Sequence, residues 1–547
     1  MLGLSHRSAR LGQQGFPILN ISTPVRLFRA MLLFLVPVLA ACGGGGSSGF
    51  VPPPPPPPDD SGWQPGVFLD ASTFRHQCEN PRTGIDPATN QPFVDVQGTT
   101  LDENNYLRSH SDDTYLWYSE IVDQDPGLFN DPLVYFDQLR TFEASPSGPP
   151  KDKFHFTIPT AEYFQLAQSG VSAGYGATWV LLSAAPPREI AIAYTEPNSP
   201  ATNLLIPLAR GARVLSVDGE DVVMGNDVDT LNAGLFPTGT GELHEFEILD
   251  LGAGTSRLVQ LTSAEITSAP VQNVSFVDTP TGDRIGYMLF NDHILTAENA
   301  LVDAVNQLNN FGIDDLVLDI RYNGGGFLFL ASQLSYMIGG PLTAGQPFET
   351  LQFNDKHPVT NPVTGEALAP TPFYNGTTTS QPLPVLNLPI RRVYVLTGPG
   401  TCSASESIMN SLRGIDVEVI QIGSTTCGKP YGFYPTDNCG TTYFTIQFRG
   451  VNDKDFGDYI DGFSPANTQT NVGVVVPGCS VADDFTAGLG DPNEDRLAAA
   501  LTYRDTQTCP ATPERAGGVL SKSGAQRNAT DGIVPKSLWN TNRIMLP

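Results

Sequence analysis

The chain has 547 residues, which is enough for about two to four domains of ordinary size. Aspartate and glutamate number 57 against 30 for lysine and arginine, so the formal net charge is -27. A chain this acidic, with no local run of basic residues, lacks the electrostatic footprint of a nucleic-acid-binding protein, and we exclude that class.

The N-terminus carries an export signal. An apolar segment at residues 31–40 follows Arg26 and Arg29. It is too short to span a bilayer as a helix, but it suits the core of a signal peptide covering residues 1–41. The segment ends in Leu-Ala-Ala-Cys at Cys42, which is similar to the bacterial lipobox. This similarity implies that the thiol of Cys42 is acylated and anchors the protein in a lipid bilayer.

A tether is predicted at residues 42–65. Glycine and serine fill residues 43–49, and seven prolines follow at 52–58. Such a flexible and then stiff linker holds a folded body away from a membrane. Because position 43 is not aspartate, the resemblance to sorted lipoproteins implies the outer membrane of the bacterial cell envelope, facing the periplasm or the cell surface.

Residues 66–163 contain mixed helical patterns, for example at 112–118 and 133–136. We predict a mainly helical N-terminal region there. We find no catalytic or ligand-binding chemistry in this part of the sequence.

Residues 164–270 change to short alternating strands separated by turns. The turn Val217-Asp218-Gly219 after alternating apolar residues is a hairpin signal. This order is similar to a small, β-rich PDZ domain, a module that binds a peptide C-terminus by strand addition. The resemblance implies that the amides of Tyr175, Gly176 and Ala177 bind the carboxylate. A β module without a ligand is the alternative.

Residues 274–505 alternate between strand and helix patterns. Apolar strands at 285–290, 315–319, 393–396 and 417–422 are separated by helical patterns, including 297–309. This alternation predicts an α/β core within a multidomain protein. Beyond it, the polar residues 506–547 predict a flexible tail.

One serine and one lysine follow two of these strands. Ser403 lies at a strand-to-helix turn, where amides at the start of the helix face whatever the serine attacks. Lys429 lies on the loop after the 417–422 strand, with no acidic residue within six positions on either side. A lysine can accept the serine proton only if burial lowers its pKa, and this apolar environment is compatible with that. The alternative is a helix-capping serine and a solvated lysine.

The motif Ser-Ala-Ser-Glu at 403–406, followed by Gly428-Lys429, resembles the signature of the carboxyl-terminal processing peptidases, or tail-specific proteases, of serine peptidase family S41. A strand ending at Asp319 and the triple glycine 324–326 also match that family. The resemblance implies that Ser403 is the nucleophile and Lys429 the general base.

The same resemblance implies that amides of Ala404 and Gly325 form the oxyanion hole, with Gly326 as the alternate donor. Glycine suits this role because a backbone N–H approaches an oxyanion closely only where no side chain intervenes. The resemblance further implies a crotonase-like fold for the core, and chemistry that needs no metal or organic cofactor.

The sequence departs from the family pattern in two places. Phe433 stands where many relatives have a glutamine that orients the lysine, and the serine-to-lysine spacing is one residue longer than in the family. These departures keep a catalytically inactive peptide-binding relative as an alternative, and an esterase is a third. All seven histidines lie at or before His357 and none forms a short motif with Ser403, so we favour a Ser-Lys dyad over a histidine triad.

Six cysteines remain after Cys42, and in an exported protein they predict disulfides. They are Cys78, Cys402, Cys427, Cys439, Cys479 and Cys509. We predict that Cys427 pairs with Cys402 or Cys439. The sequence has no Cys-x-x-Cys motif or Cys/His cluster, so we predict no metal site.

These features together predict an exported, lipid-anchored serine endopeptidase that cleaves polypeptides at or near their C-terminal region. The predicted partners are polypeptide substrates and, through acylated Cys42, the lipid bilayer, whereas the sequence does not identify any adaptor protein.

Overall fold

The structure is a computed structural model, and it describes residues 62–183, 186–469, 473–510 and 543–544. The predicted signal peptide, Cys42 and the tether up to residue 61 lie outside the described residues, as does most of the predicted tail. No helix in the described ranges is long and apolar enough to cross a membrane.

The N-terminal part is built around one long helix, Thr100–Thr114. Thr99 and Asp102 form a capping box that satisfies free amides at its start. The other elements are short: helices Pro132–Phe136 and Thr160–Phe164, a π-helical turn Gln165–Ser169, 3-10 turns Ala71–Thr73, Tyr118–Glu120 and Pro126–Leu128, and strands Gln77–Cys78, Ile85–Asp86, Gln91–Pro92, Val96–Gln97 and Phe156–Pro159.

A β-rich module follows, with a hydrophobic core of its own that includes Trp179, Val217 and Phe246. Its antiparallel sheet has the spatial order Arg257–Thr262, Leu243–Leu249, Arg213–Val217, Glu189–Thr195 and Ala177–Ser183, with Glu220–Asp221 paired to Arg213–Val217. A second small sheet pairs Val171–Gly174 with Ala264–Thr267, and one helix spans Val228–Leu235. Its assignment as a PDZ-like domain stays a prediction.

The α/β core contains a six-stranded sheet, and the α/β class is therefore confirmed. The spatial order is Val271–Asp278, Arg284–Phe290, Asp315–Asp319, Arg392–Thr397, Glu418–Gly423 and Gly478–Ser480. The first pair is antiparallel and the other pairs are parallel.

Both faces of the inner parallel strands are buried, which is why these strands are mainly apolar, whereas the edge strand Val271–Asp278 is partly exposed. Successive side chains point to opposite faces, so Leu318 and Val395 belong to one hydrophobic cluster whereas Val317 and Tyr394 belong to another. The first cluster contains helices Ala297–Phe311, Leu328–Gly339 and Ala404–Gly414, and the second contains helix Asp495–Thr506.

Short elements complete the core. One small sheet contains Thr371–Pro372, Pro347–Gln352, Phe448–Val451 and Tyr431–Gly432, and another contains Thr436–Asn438, Thr441–Phe444 and Phe156–Pro159. Two further strand pairs are Phe463–Pro465 with Val474–Val476 and Gly326–Phe327 with Arg543–Ile544. A 3-10 turn spans Gly340–Thr343. Because neighbouring parallel strands end at the same edge of the large sheet, the segments after residues 319, 397 and 423 meet there. These segments carry the predicted site.

Candidate active site

Ser403 precedes the helix Ala404–Gly414 and has an unusual backbone conformation. Its φ of 61° and ψ of -117° lie in a region that residues other than glycine rarely adopt. The residue is fully buried, and its Oγ has no hydrogen-bond partner within the described part of the chain. The fold thus holds a strained serine whose hydroxyl is committed to no other group.

Glu406 joins the serine turn to the lysine loop. Its fully buried carboxylate accepts hydrogen bonds at Oε2 from the amides of Ser403, at 2.9 Å, and Lys429, at 2.8 Å. Its Oε1 accepts from the Gly428 amide at 2.9 Å and from the Thr426 hydroxyl. Burial raises the pKa of this carboxyl against the effect of those four donors. Ser403 and Lys429 are therefore fixed by one side chain.

A disulfide ties the same two segments together. Cys402, directly before Ser403, is bonded to Cys427, two positions before Lys429, with their Cα atoms 5.1 Å apart. The amide of Cys427 also donates to the carbonyl of Thr401 at 3.0 Å. The remaining cysteines form Cys78–Cys439 and Cys479–Cys509.

Lys429 is fully buried in an aromatic environment. Its Nζ lies 4.3 Å from the ring centroid of Phe433 and 4.8 Å from that of Phe154. Burial holds the pKa of Lys429 well below its usual value, and the charges of Asp152 and Glu406 oppose that effect only in part. A neutral amine is the form that can accept a proton. Phe433, found where relatives have glutamine, offers this amine a ring face.

The glycine turn is attached to the serine turn through Asn323. The backbone carbonyl of this buried residue accepts hydrogen bonds from the Cys402 amide and the Ser405 hydroxyl, both at 3.1 Å. Its Oδ1 accepts from the Gly325 amide at 2.9 Å. Gly325 N is therefore already engaged, and in this conformation it does not meet the prediction of an available oxyanion donor.

The two other predicted donors occupy different surroundings. Ala404 is the first residue of its helix, so its amide belongs to the unsatisfied N-terminal turn. Gly326 has a φ of 134°, and a Cβ there would lie 2.4 Å from the carbonyl oxygen of His293. Only glycine fits that position.

His293 is a buried residue that the sequence did not single out. Its Nδ1 lies 2.9 Å from Asn323 Oδ1, and its Nε2 has no hydrogen-bond partner in the described ranges. Burial lowers the pKa of His293 to about 3, so the ring is neutral. This ring forms no hydrogen bond with Ser403, whose hydroxyl has no partner in the described ranges, and His293 supports the glycine turn instead.

A buried ion network lies beneath the glycine turn. Arg321 is fully buried and donates to Asp319 at 3.0 Å, to Asp483 at 2.7 Å and to both carboxylate oxygens of Glu494. Arg210 of the β-rich module also binds Asp483, at 2.7 Å. The turn and the module thus share one network.

The predicted carboxylate-binding residues lie in the β-rich module. Tyr175 is buried and its hydroxyl donates to the carbonyl of Gly234 at 2.9 Å. Gly176 has a φ of 72°, and Ala177 begins an edge strand of the sheet. Their role in binding a peptide carboxylate stays a prediction.

One cluster has metal-ligand atoms close together: atoms of Cys402, Glu406 and Cys427 lie within 4.8 Å of one another. Its two sulfur atoms are joined in a disulfide. They cannot act as thiolate ligands, so this cluster is not a metal site.

Both predicted catalytic side chains are closed off from solvent. The cover segment, which we define as residues 143–154, runs across the lysine loop. Lys153 Nζ donates to the Cys427 carbonyl at 3.0 Å, and the Phe154 ring contacts Lys429. Ser147 in addition hydrogen-bonds Asp461. These contacts cover the lysine loop from this side.

Comparison with known proteins points to one family. A model described as peptidase family S41 matches residues 284–436, which include the glycine turn, Ser403 and Lys429. A carboxyl-terminal-processing protease of Picosynechococcus sp. is 27% identical over 140 residues, which are 24% of this chain and 33% of that protein. The chain thus aligns with only a third of the length of this relative.

Two solved structures can be compared with this chain. A putative S41 protease from Bacteroides fragilis has a TM-score of 0.54 and 21% identity, with 74% of this chain and 97% of that chain covered. This likeness is evidence for the fold. The photosystem II D1 C-terminal processing protease has a TM-score of 0.38 and 18% identity, with 68% and 92% covered. The family model and the curated relative together show that residues 284–436 are similar to peptidase family S41.

Proposed function

We propose that this protein is a serine endopeptidase that cleaves polypeptides at or near their C-terminal region, with Ser403 as nucleophile and Lys429 as general base. The observation that carries the proposal is the shared support of the two residues. Glu406 binds both amides, and the Cys402–Cys427 disulfide joins the flanking positions.

The chemistry would proceed through an acyl-enzyme. Lys429 accepts the proton of the Ser403 hydroxyl as Oγ attacks the scissile carbonyl, and the oxyanion receives hydrogen bonds from the amide of Ala404 and from the glycine turn. The lysine then gives its proton to the leaving amine, and the C–N bond breaks. In the second half it activates the water that releases the acyl group.

Two features support these roles. Burial lowers the pKa of Lys429 well below its usual value, which favours the neutral amine that a base requires. The strained backbone of Ser403 is the kind of outlier that a fold retains at a functional residue. For the oxyanion hole, the amide of Gly325 would have to leave Asn323, whereas Gly326 is the alternate glycine donor.

A catalytically inactive peptide-binding relative is the second candidate. Full burial of Ser403 and Lys429, and the ring of Phe433 in place of an amide side chain, favour it. Retention of both the serine and a lysine of lowered pKa favours the enzyme.

The deciding experiment is digestion of an unstructured polypeptide that ends in apolar residues by the chain from residue 62 onward, under non-reducing conditions. We expect cleavage by the wild type and none by Ser403→Ala or Lys429→Ala. Lys454→Ala, which removes a half-exposed surface lysine, serves as the matched control and keeps full activity. Binding of the peptide by the wild type without cleavage would establish the second candidate instead.

We also propose that the protein is exported and anchored to the outer membrane by acylated Cys42. The Leu-Ala-Ala-Cys motif and the following tether support this. Cys42→Ser in the full chain should move the protein from the membrane fraction to the soluble fraction. Mass spectrometry of the N-terminal peptide should show acyl chains only in the wild type, and an unmodified Cys42 would refute the anchor.

A further inference from the structure

Lys429 is covered by a segment from outside the matched family region. Lys153 of this cover segment binds the Cys427 carbonyl, and the Phe154 ring lies 4.8 Å from Lys429 Nζ. Asp152 therefore reaches the lysine pocket on the same stretch of chain. The inference drawn below from this placement depends on the function proposed above.

Asp152 is a fully buried carboxylate held by two hydrogen-bond donors. The Tyr115 hydroxyl donates to Oδ2 at 2.7 Å, and the Phe154 amide donates to Oδ1 at 2.9 Å. Tyr115 is itself fixed, because its oxygen accepts from the Thr141 amide at 3.0 Å. The carboxylate consequently has a defined position beside Phe154.

No arginine or lysine in the described residues pairs with Asp152 within 4.0 Å. Its one ion-pair partner among the described residues is His155, at 3.9 Å, and burial lowers the pKa of that ring, which favours its neutral form. A buried carboxylate costs free energy unless it is compensated, so its retention calls for a role. The pocket beside it contains the Lys429 amine.

We propose that Asp152 is a positioning residue for Lys429, and that the cover segment thereby supplies the polar support that Phe433 cannot give. By the family resemblance, a glutamine at the Phe433 position orients the lysine in many relatives. Here Phe433 and Phe154 bound the amine with ring faces, while Asp152 supplies a fixed negative charge.

The two carboxylates near Lys429 have different tasks. Glu406 is occupied by four donors, including the Lys429 main-chain amide, so it fixes the loop. The donors to Asp152 are instead Tyr115 and the Phe154 amide, and its charge opposes the loss of basicity that burial causes in Lys429 more strongly than the charge of Glu406 does. The titratable groups around this pocket are Asp152, Glu406, Lys153, His155, Tyr115 and Tyr431.

The sign of the effect follows from the charge. A negative group stabilises the protonated lysine, so Asp152→Asn lowers the pKa of Lys429 further. Lys429 then stays neutral at lower pH values than in the wild type, so the acid limb of the kcat/KM profile shifts to lower pH by about one unit or more. The plateau falls by about tenfold to a hundredfold, because the amine is a weaker and less well oriented base.

The experiment is the pH profile of kcat/KM for the wild type, Asp152→Asn and Asp137→Asn, the last being an exposed aspartate in the same region. We expect the acid limb to move only in Asp152→Asn. If that limb coincides with the wild-type limb while only the plateau falls with thermal stability, Asp152 is structural and the inference is wrong.

Tyr115→Phe covers the case in which Asp152→Asn does not fold. It keeps the charge of Asp152 and removes one of the two hydrogen-bond donors to its carboxylate. The less screened carboxylate then stabilises the protonated form of Lys429 more strongly, so the pKa of Lys429 rises and the acid limb moves to higher pH. An unchanged limb in this variant would also refute the inference.

NMR titration of the Lys429 side chain, assigned with Lys429→Met, separates this inference from the proposed function. An inert wild type whose Lys429 pKa still falls in Asp152→Asn would refute the peptidase and keep the electrostatic link. An active wild type with an unchanged pKa would keep the peptidase and refute the link.

Discussion

Replacing Ser403 by glycine should make the protein more stable while abolishing its proposed activity. The φ of 61° and ψ of -117° at Ser403 suit glycine, which has no Cβ to clash with the backbone. Such a strained conformation costs about 1–3 kcal/mol in any other residue. Relief of this strain stabilises Ser403→Gly, but about 0.5–1 kcal/mol is lost again because glycine is more flexible in the unfolded chain.

Ser403→Ala supplies the reference, because alanine keeps the Cβ and hence the strain. The serine hydroxyl has no hydrogen-bond partner in the part of the chain that the structure describes, so its removal costs little and can even gain about 1 kcal/mol. Ser403→Gly should therefore exceed Ser403→Ala in free energy of unfolding by about 1–2 kcal/mol.

Urea unfolding of the three proteins under non-reducing conditions measures this difference. Ser407, one turn into the same helix, gives the matched control: Ser407→Gly should be about 1 kcal/mol less stable than Ser407→Ala, as in any helix interior. If glycine is no better than alanine at position 403, the backbone there is not strained and this reasoning fails.

Three further predictions concern the support of the site. The double variant Cys402→Ser, Cys427→Ser opens a loop of 25 residues, so the free energy of unfolding should fall by about 3–4 kcal/mol and cleavage should fall as well. Equal unfolding midpoints of the variant and the wild type under non-reducing conditions would contradict this. Arg321→Met leaves buried carboxylates unpaired and should cost about 3–5 kcal/mol by thermal unfolding, whereas a neutral effect would show that the network is not needed. Burial lowers the pKa of Lys429 in the folded protein, so the free energy that this lysine costs the fold grows as pH falls from 10.5 towards the folded pKa. Lys429→Met should therefore have the larger free energy of unfolding at pH 7, and the difference from the wild type should close as pH approaches 10.5. A difference that does not depend on pH would refute the assignment.

The sequence predicted the parts of the site that follow from local pattern. Ser403 and Lys429 each come after an apolar strand, and parallel neighbours in a buried sheet end at one edge, so their proximity required no long-range information. The α/β class followed from the same alternation. Glu406 could have been found as well, because a serine followed three positions later by glutamate is a capping-box pattern.

The remaining site residues could not be found in this way. Asp152 and Phe154 reach Lys429 from a segment more than 250 positions earlier, and no periodicity or motif in that segment marks them. His293 meets Asn323 through the register of two strands. The sequence also placed Gly325 among the oxyanion donors because glycine permits close approach, yet it could not show that the Asn323 side chain takes the amide.

The distribution of these contacts indicates which part of the closed site must move for a substrate to enter. Ser403 is bound to its surroundings by a disulfide at the preceding residue, by Glu406 and, through Cys402, by Asn323. Displacing the serine turn would break a covalent loop and leave a buried carboxylate without its donors, at about 1–3 kcal/mol for each unsatisfied group. The cover segment is held to the lysine loop and to Asp461 by single hydrogen bonds from Lys153 and Ser147 and by the Phe154 ring, and its buried Asp152 is bound by Tyr115. Because the hydrogen bonds of Lys153 and Ser147 are exposed, an opening that breaks only these two costs less than displacing the serine turn, and it leaves the strained serine in place.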